Sequence, residues 1–166
     1  MGMFLSQYSM LKSIGYQDDT HITAETTKIL NPFKLFVLVL HDPTGHLSFH
    51  QKFSQLFERL DYLTGQHLLF MGIARPSLNW YKRNEDRDYF GIWEKEQLIN
   101  SFHEIKSQDN SIACYSIAKA LDIDYDDLPV LIVTTSLYSS SFAVLKTNEN
   151  TIEKQLSELG YFASSS

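Results

Sequence analysis

The sequence predicts an α/β fold whose core runs strand–helix–strand, then helix, then strand–strand–helix, around a four-stranded mixed sheet. Two near-continuous apolar runs of strand length, residues 33–40 and 67–74, flank a stretch with helical periodicity. Such runs are typical of strands that are covered on both faces. Two further strand-like runs, residues 130–135 and 142–147, are separated by a serine-rich turn and predict a hairpin, which a last helix-period segment follows.

The composition fits one domain spanning residues 1–166, with 43% hydrophobic residues. A net charge of −6 without a local basic patch argues against nucleic-acid binding, because phosphate backbones repel an acidic surface. The one cysteine cannot form an internal disulfide, and the sequence has neither a secretory segment nor a long apolar run. We therefore expect a cytoplasmic protein that does not bind membranes.

The first 32 residues predict a helical extension ahead of the core. Phe4, Tyr8 and Leu11 recur at helical spacing. Asn31-Pro32 ends this region, because the residue before a proline disfavours the helical conformation. The core then spans residues 33–162, with one insertion.

The first core helix is predicted from one apolar face. Ser48 and Gln51 can form a capping box at its start, and Gly65 can end it. The apolar face consists of Phe49, Phe53, Leu56, Phe57, Leu60 and Leu63.

Residues 75–108 form a long insertion rich in aromatic residues and charges. A structureless connection of this length is unusual, so we expect it to pack against the core or to bind a partner. Its aromatic residues predict either an interface hot spot or a satellite core that covers the sheet. They are Trp80, Tyr81, Tyr89, Phe90 and Trp93.

The second half of the chain adds two helices. Residues 111–121 predict a helix with Cys114 on its apolar face, where a thiol behaves as an inert hydrophobic group. Asn150 and Glu153 can cap the last helix, and Gly160 is expected to end it.

An acidic turn precedes Pro129, at the start of the strand of residues 130–135. Its four aspartates surround Tyr125 and predict a solvated turn, with a site for a hard cation as the alternative. The aspartates are Asp122, Asp124, Asp126 and Asp127.

The order of elements, with Leu121-Asp122-Ile123 leading to Leu128-Pro129-Val130, resembles the minimal thioredoxin fold of thioredoxins and of the N-terminal domain of glutathione transferases. The resemblance covers about residues 33–161. It implies that Pro129 is cis, opens a central strand beside the family's reactive site and exposes the preceding backbone to an extended peptide or ligand. The family's Cys-x-x-Cys pair has no counterpart in the junction of residues 41–48, so we expect no thiol–disulfide exchange.

This junction carries the best chemical cluster in the sequence, His41, Asp42, His46 and His50. Three imidazoles and a carboxylate are a possible transition-metal set. His46 and His50 lie on one helical face if the helix includes both, but Ser48 as the N-cap would leave His46 outside. Polar loop histidines and an anion or substrate site are the other interpretations.

We therefore expect a non-catalytic thioredoxin-like domain that binds a protein or peptide partner without a cofactor. One alternative is a metal-assisted or anion-binding enzyme that uses the histidine junction, and another is a structural subunit of a homo-oligomer. The predicted partner-binding residues are Trp80, Tyr81, Tyr89, Phe90, Trp93 and Pro129.

Overall fold

The computed structural model describes residues 1–4, 32–72, 110–136 and 141–165 of the chain. These ranges contain five strands, three α-helices and one 3-10 turn. In chain order they are β1 (Gly2–Phe4), β2 (Leu35–Leu40), α1 (Leu47–Leu63), β3 (Leu68–Gly72), α2 (Asn110–Ala120), the 3-10 turn (Tyr125–Asp127), β4 (Val130–Thr134), β5 (Ala143–Lys146) and α3 (Ile152–Ser165).

The strands form one mixed sheet in the order β1-β3-β2-β4-β5. Strands β2 and β3 are parallel, as expected when a helix connects them. Strand β4 lies inside the sheet and is antiparallel to both β2 and β5. The predicted α/β class and four-stranded mixed sheet are therefore present, as β3-β2-β4-β5.

Strand β1 corrects the prediction at the start of the chain, because Gly2–Phe4 is an edge strand and not the beginning of a helix. It pairs in parallel with β3, with Gly2 opposite Phe70. The Gly2 N–H donates to Oδ1 of the buried Asp61 at 2.7 Å. The rest of the predicted N-terminal helices lies outside the described residues.

The core is one cluster of buried residues from β2, β3 and β4 and from all three α-helices of the described ranges. Every residue of β2 and β3 is buried, as the continuous apolar runs predict. The rings of Phe53 and Phe57 on α1 contact Phe70 of β3, with centroids 6.2 and 5.2 Å apart. Such edge-to-face pairs add to the free energy that burial of the rings provides.

Helix α1 begins two residues earlier than the capping box predicts. Its N-cap is His46, not Ser48, and no side chain of a described residue caps it. The start shifts because the His46 N–H donates to the Asp42 carbonyl at 2.8 Å, which turns the chain before Ser48. At the other end Gly65 has a φ of +74°, so its predicted role in ending the helix is confirmed.

Helix α3 runs through Gly160 to Ser165, so the prediction that Gly160 ends it is wrong. Gly160 lies against the end of α1, where an added Cβ would stand 2.6 Å from the Thr64 carbonyl oxygen. The glycine therefore permits close approach of two helices. At the start of α3, the Asn148 side chain accepts the N–H groups of Asn150 and Thr151 at 2.8 and 3.0 Å, in place of the predicted capping by Asn150.

Helix α2 buries the predicted face, including Cys114, Ile117 and Ala118. The helices in the described ranges are all too short or too polar to cross a membrane.

Candidate functional site

The predicted junction lies where the chain leaves the carboxyl end of β2. Leu40 at this end pairs with Val130, the first residue of β4. His41 and Asp42 are therefore next to the segment that enters β4. In that segment the Leu128–Pro129 peptide bond is cis, as the resemblance implies.

Asp42 is the centre of the junction, with 2% of its surface exposed. Its Oδ1 accepts hydrogen bonds from the Ser111 hydroxyl at 2.6 Å and from the Thr44 N–H at 3.0 Å. Its Oδ2 accepts the Tyr125 hydroxyl at 2.7 Å and the Tyr115 hydroxyl at 3.3 Å. One carboxylate thus joins the loop after β2, helix α2 and the turn before β4.

These hydrogen bonds decide the charge of the cluster. Burial alone would raise the pKa of Asp42, but the bonds from Ser111, Tyr125 and the amides of Gly45 and Thr44 outweigh it and hold that pKa far below its usual range. The hydrogen bond to Asp42 in turn raises the pKa of Tyr125 well above its ordinary value. At neutral pH the carboxylate is therefore ionised and the phenol protonated. Because the lone pairs of Asp42 are occupied, it is poorly suited to act as a general base.

Gly45 allows this cluster to close. A Cβ at this position would stand 2.6 Å from Oδ2 of Asp42 and would collide with the Tyr125 hydroxyl. No larger residue fits there without displacing the tyrosine. In the sequence, Asp42-Pro43-Thr44-Gly45 predicts a turn but does not predict the approach of Tyr125 to Gly45.

The three histidines do not converge on one point. His41 Nε2 lies 3.0 Å from His50 Nδ1, whereas His46 Nδ1 accepts the Asp42 N–H at 3.0 Å. The second contact leaves Nε2 of neutral His46 as the protonated nitrogen. Within the described ranges, no group of three or more His, Cys, Asp and Glu side chains is placed to hold a metal ion.

His41 is fully buried, with its ring 5.0 Å from that of Phe49 and 5.8 Å from that of Phe53. Its Nδ1 has no hydrogen-bond partner among the described residues. Burial, followed by the nearby His50 and His46, lowers the pKa of His41 to about 3. His41 is therefore a neutral part of the core at physiological pH.

The exposed part of the site is aromatic. Tyr115 and Tyr125 expose 50% and 37% of their surface, although their hydroxyls are fixed on Asp42. Their ring centroids are 5.2 Å apart, with planes inclined at 42°. The His46 ring stacks on Tyr125 at 5.3 Å. We call the exposed surface of Tyr115 and Tyr125, together with the half-buried Pro129 that follows Tyr125 in the chain, the tyrosine surface.

Sequence reasoning found Asp42 and the histidines but missed Ser111, Tyr115 and Tyr125. These residues meet Asp42 only through the fold, and no spacing in the sequence marks them. Of the predicted partner-binding residues, Pro129 lies at the site. The others, Trp80, Tyr81, Tyr89, Phe90 and Trp93, lie outside the described residues.

Cys114 lies on α2 within the same region, fully buried as predicted. Burial, with a further contribution from the charge of Asp42, raises the pKa of its thiol to about 12. The thiol is thus protonated and shielded, and it supplies no nucleophile at this site.

Comparison with known proteins finds no matching family model, curated protein or solved structure.

Proposed function

We propose that this chain is a thioredoxin-like domain without thiol chemistry, and that it binds an extended peptide segment of a protein partner at the tyrosine surface. The observation that carries the proposal is the pair of exposed rings, Tyr115 and Tyr125, held in place by a buried carboxylate beside the start of β4. Exposed aromatic residues supply much of the binding energy at protein interfaces.

The order β3-β2-β4-β5, with β2 parallel to β3 and antiparallel to β4, supports the thioredoxin-like part of the proposal. The cluster around Asp42 occupies the junction between strand and helix where that family keeps its cysteine pair. In this chain the junction holds hydrogen-bonding groups and no thiol. The junction that carries the reactive cysteines in that family can therefore bind a partner in this chain.

The chemistry of the site favours binding over catalysis. Asp42 is ionised but already accepts hydrogen bonds from several donors. The Cys114 thiol is buried, and His41 is buried and neutral. These groups are suited to holding a surface in one shape, and each lacks a property that a base or nucleophile needs.

Preorganisation strengthens this interpretation. Each tyrosine is anchored at both ends, through its backbone element and through its hydroxyl on Asp42. Such rings lose little rotational freedom when a partner binds, so more of the contact energy appears as affinity. The ring of His46 supports Tyr125 from the side.

Selection from a displayed library of random peptides of about twelve residues tests the proposal. We expect selected peptides to bind the protein, and Tyr115→Ala and Tyr125→Ala each to weaken them by about tenfold or more, a loss of at least ~1.4 kcal/mol. The control is Tyr161→Ala, which removes a tyrosine of α3 that is more exposed than Tyr115 and Tyr125. A library without binders, or binders that ignore both substitutions, would contradict the proposal.

A second candidate function is a subunit of a homo-oligomer, and strand β5 favours it. In the described part of the chain β5 pairs only with β4, and it exposes Val144 and Leu145 on its two faces. Exposed apolar edge strands readily pair with a second chain. Sedimentation velocity of wild type and Val144→Lys tests this candidate. We expect the wild type to be an oligomer and Val144→Lys to dissociate it, and a monomeric wild-type protein would exclude the candidate.

A further inference from the structure

We infer that the peptide recognised by the tyrosine surface is basic, and that an arginine side chain lies on the rings of Tyr115 and Tyr125. This inference rests on the proposed function and adds the chemical class of the partner. Two independent properties of the surface support it: the electron density of the rings and the charge beside them.

The rings are suited to a cation. Both phenols donate their protons toward the ionised Asp42, with Tyr125 at 2.7 Å and Tyr115 at 3.3 Å. A phenol that donates to a carboxylate carries more negative charge on its ring, which strengthens cation–π attraction. Tyr115 exposes half of its surface, so part of its ring is accessible to a partner.

The charge beside the rings is negative. The described segment of residues 110–136 has a single basic residue, Lys119, against four aspartates that surround Tyr125 in the chain. All four are exposed, and none forms an ion pair with another described residue. They are Asp122, Asp124, Asp126 and Asp127.

This combination selects against other peptides. An acidic segment would meet both the aspartates and the buried charge of Asp42, and the repulsion between like charges opposes its binding. A neutral segment would leave the aspartates without partners. Arginine fits best, because its guanidinium can stack on a ring and donate two hydrogen bonds to a neighbouring carboxylate.

Fluorescence anisotropy with defined probes tests the inference. The probes are four fluorescein-labelled octapeptides of serine, glycine and alanine that differ at two positions, which hold arginine, lysine, glutamine or glutamate. We expect the arginine peptide to bind about tenfold or more tighter than the glutamine peptide, with lysine between them and glutamate weakest. Its affinity should fall as salt rises from about 50 to 300 mM.

The variants separate the two sources of binding. Replacing Asp124, Asp126 and Asp127 by asparagine should cost the arginine peptide about tenfold and leave the glutamine peptide unchanged. Tyr115→Ala should weaken every peptide that binds. The charge-matched control replaces three acidic residues at or near α3, Glu149, Glu153 and Glu158, by glutamine, and should leave all affinities unchanged.

The results also distinguish the inference from the proposed function. Equal affinities for the arginine, glutamine and glutamate peptides, all weakened by Tyr115→Ala, would overturn the basic preference and retain peptide binding. An arginine peptide that does not bind at about 1 mM would overturn the inference, whereas the displayed library decides the proposed function separately. Binding of the arginine peptide that survives both tyrosine substitutions would overturn both.

Discussion

The hydroxyl of Tyr125 donates a 2.7 Å hydrogen bond to Oδ2 of Asp42, a residue 83 positions earlier in the chain. Ser111 donates to the other carboxylate oxygen of Asp42 at 2.6 Å. Three segments that are distant in sequence are therefore tied to one buried charge at the end of β2. The shape of the tyrosine surface depends on that charge.

Asp42→Asn should destabilise the protein by about 3 kcal/mol. The substitution puts an NH2 group, which is a donor, in the place of one carboxylate oxygen that accepts from two donors. Two charge-assisted hydrogen bonds are therefore lost. Urea unfolding followed by circular dichroism measures the change. The control is Asp126→Asn, an exposed aspartate of the 3-10 turn, which should stay within about 0.5 kcal/mol of wild type. A loss below about 1 kcal/mol at Asp42 would show that the cluster contributes little to stability.

Gly45→Ala should lower stability by about 1–2 kcal/mol, because the new methyl group occupies the space of the Tyr125 hydroxyl. The same substitution in a Tyr125→Phe background should cost less, since the hydroxyl is absent. A double-mutant cycle measures this coupling, which we expect to be about 1 kcal/mol. Additive effects would mean that Tyr125 and Gly45 are not in contact in solution.

Stability should fall as the pH drops from about 6.5 toward 3, because His41 is buried and neutral in the folded state. In the unfolded chain this imidazole takes up a proton near pH 6.5, whereas the folded form resists protonation until about pH 3. The folded state thus binds fewer protons in this window, and the contribution of His41 is fully present only above it. From pH 7 to 5 the loss should be about 2 kcal/mol.

Urea unfolding of wild type and His41→Gln across this range isolates the contribution. Glutamine can still bond to His50 but does not titrate, so the variant should show a shallower decline between pH 7 and 5. His50, whose pKa burial also lowers, contributes in the same direction and remains in both proteins. Parallel curves for the two proteins would contradict the assignment of the pH dependence to His41.

The Cys114 thiol should react with an aromatic disulfide reagent about a thousandfold more slowly in the native protein than in the unfolded chain at pH 8. Burial removes access, and the raised pKa of about 12 leaves little thiolate. Absorbance of the released thiol gives both rates. Rapid reaction of the native protein would instead support a redox-sensing role for this residue.

The sheet and its covering helices could be predicted because each carries a strong local pattern. Strands β2 and β3 are continuous apolar runs, and α1 repeats its phenylalanines at helical spacing. Strand β1 has three residues, which is too few for any periodicity to be recognised. Its place is fixed by pairing with β3, a contact between distant parts of the chain.

The residues of the site also fall into those that the sequence predicts and those that only the fold brings together. Asp42 and its histidines could be found because they are neighbours in sequence. Ser111, Tyr115 and Tyr125 reach Asp42 from 69 to 83 positions away, so the fold alone brings them together. The prediction from the propensity of serine for the N-cap position of α1 is also wrong. The backbone hydrogen bond from the His46 N–H to the Asp42 carbonyl begins the helix at Leu47 instead.

Gly160→Ala separates two opposing effects. In an isolated helix the substitution would stabilise by about 1 kcal/mol, because glycine is a poor helix former. In this protein the added Cβ would stand 2.6 Å from the carbonyl oxygen of Thr64 and 2.9 Å from its carbonyl carbon. These are backbone atoms that cannot rotate away, so the clash should outweigh propensity and the net loss should be about 2 kcal/mol.

Thermal and urea unfolding of Gly160→Ala measures the result, with Tyr161→Ala as the control on the exposed face of the same helix. The control should change stability by no more than about 0.5 kcal/mol. Because α3 packs on α1 through this contact, Gly160→Ala should also loosen the end of α1 and speed amide exchange there. A stabilised variant would mean that α3 ends at Gly160 in solution, as the sequence pattern alone predicts.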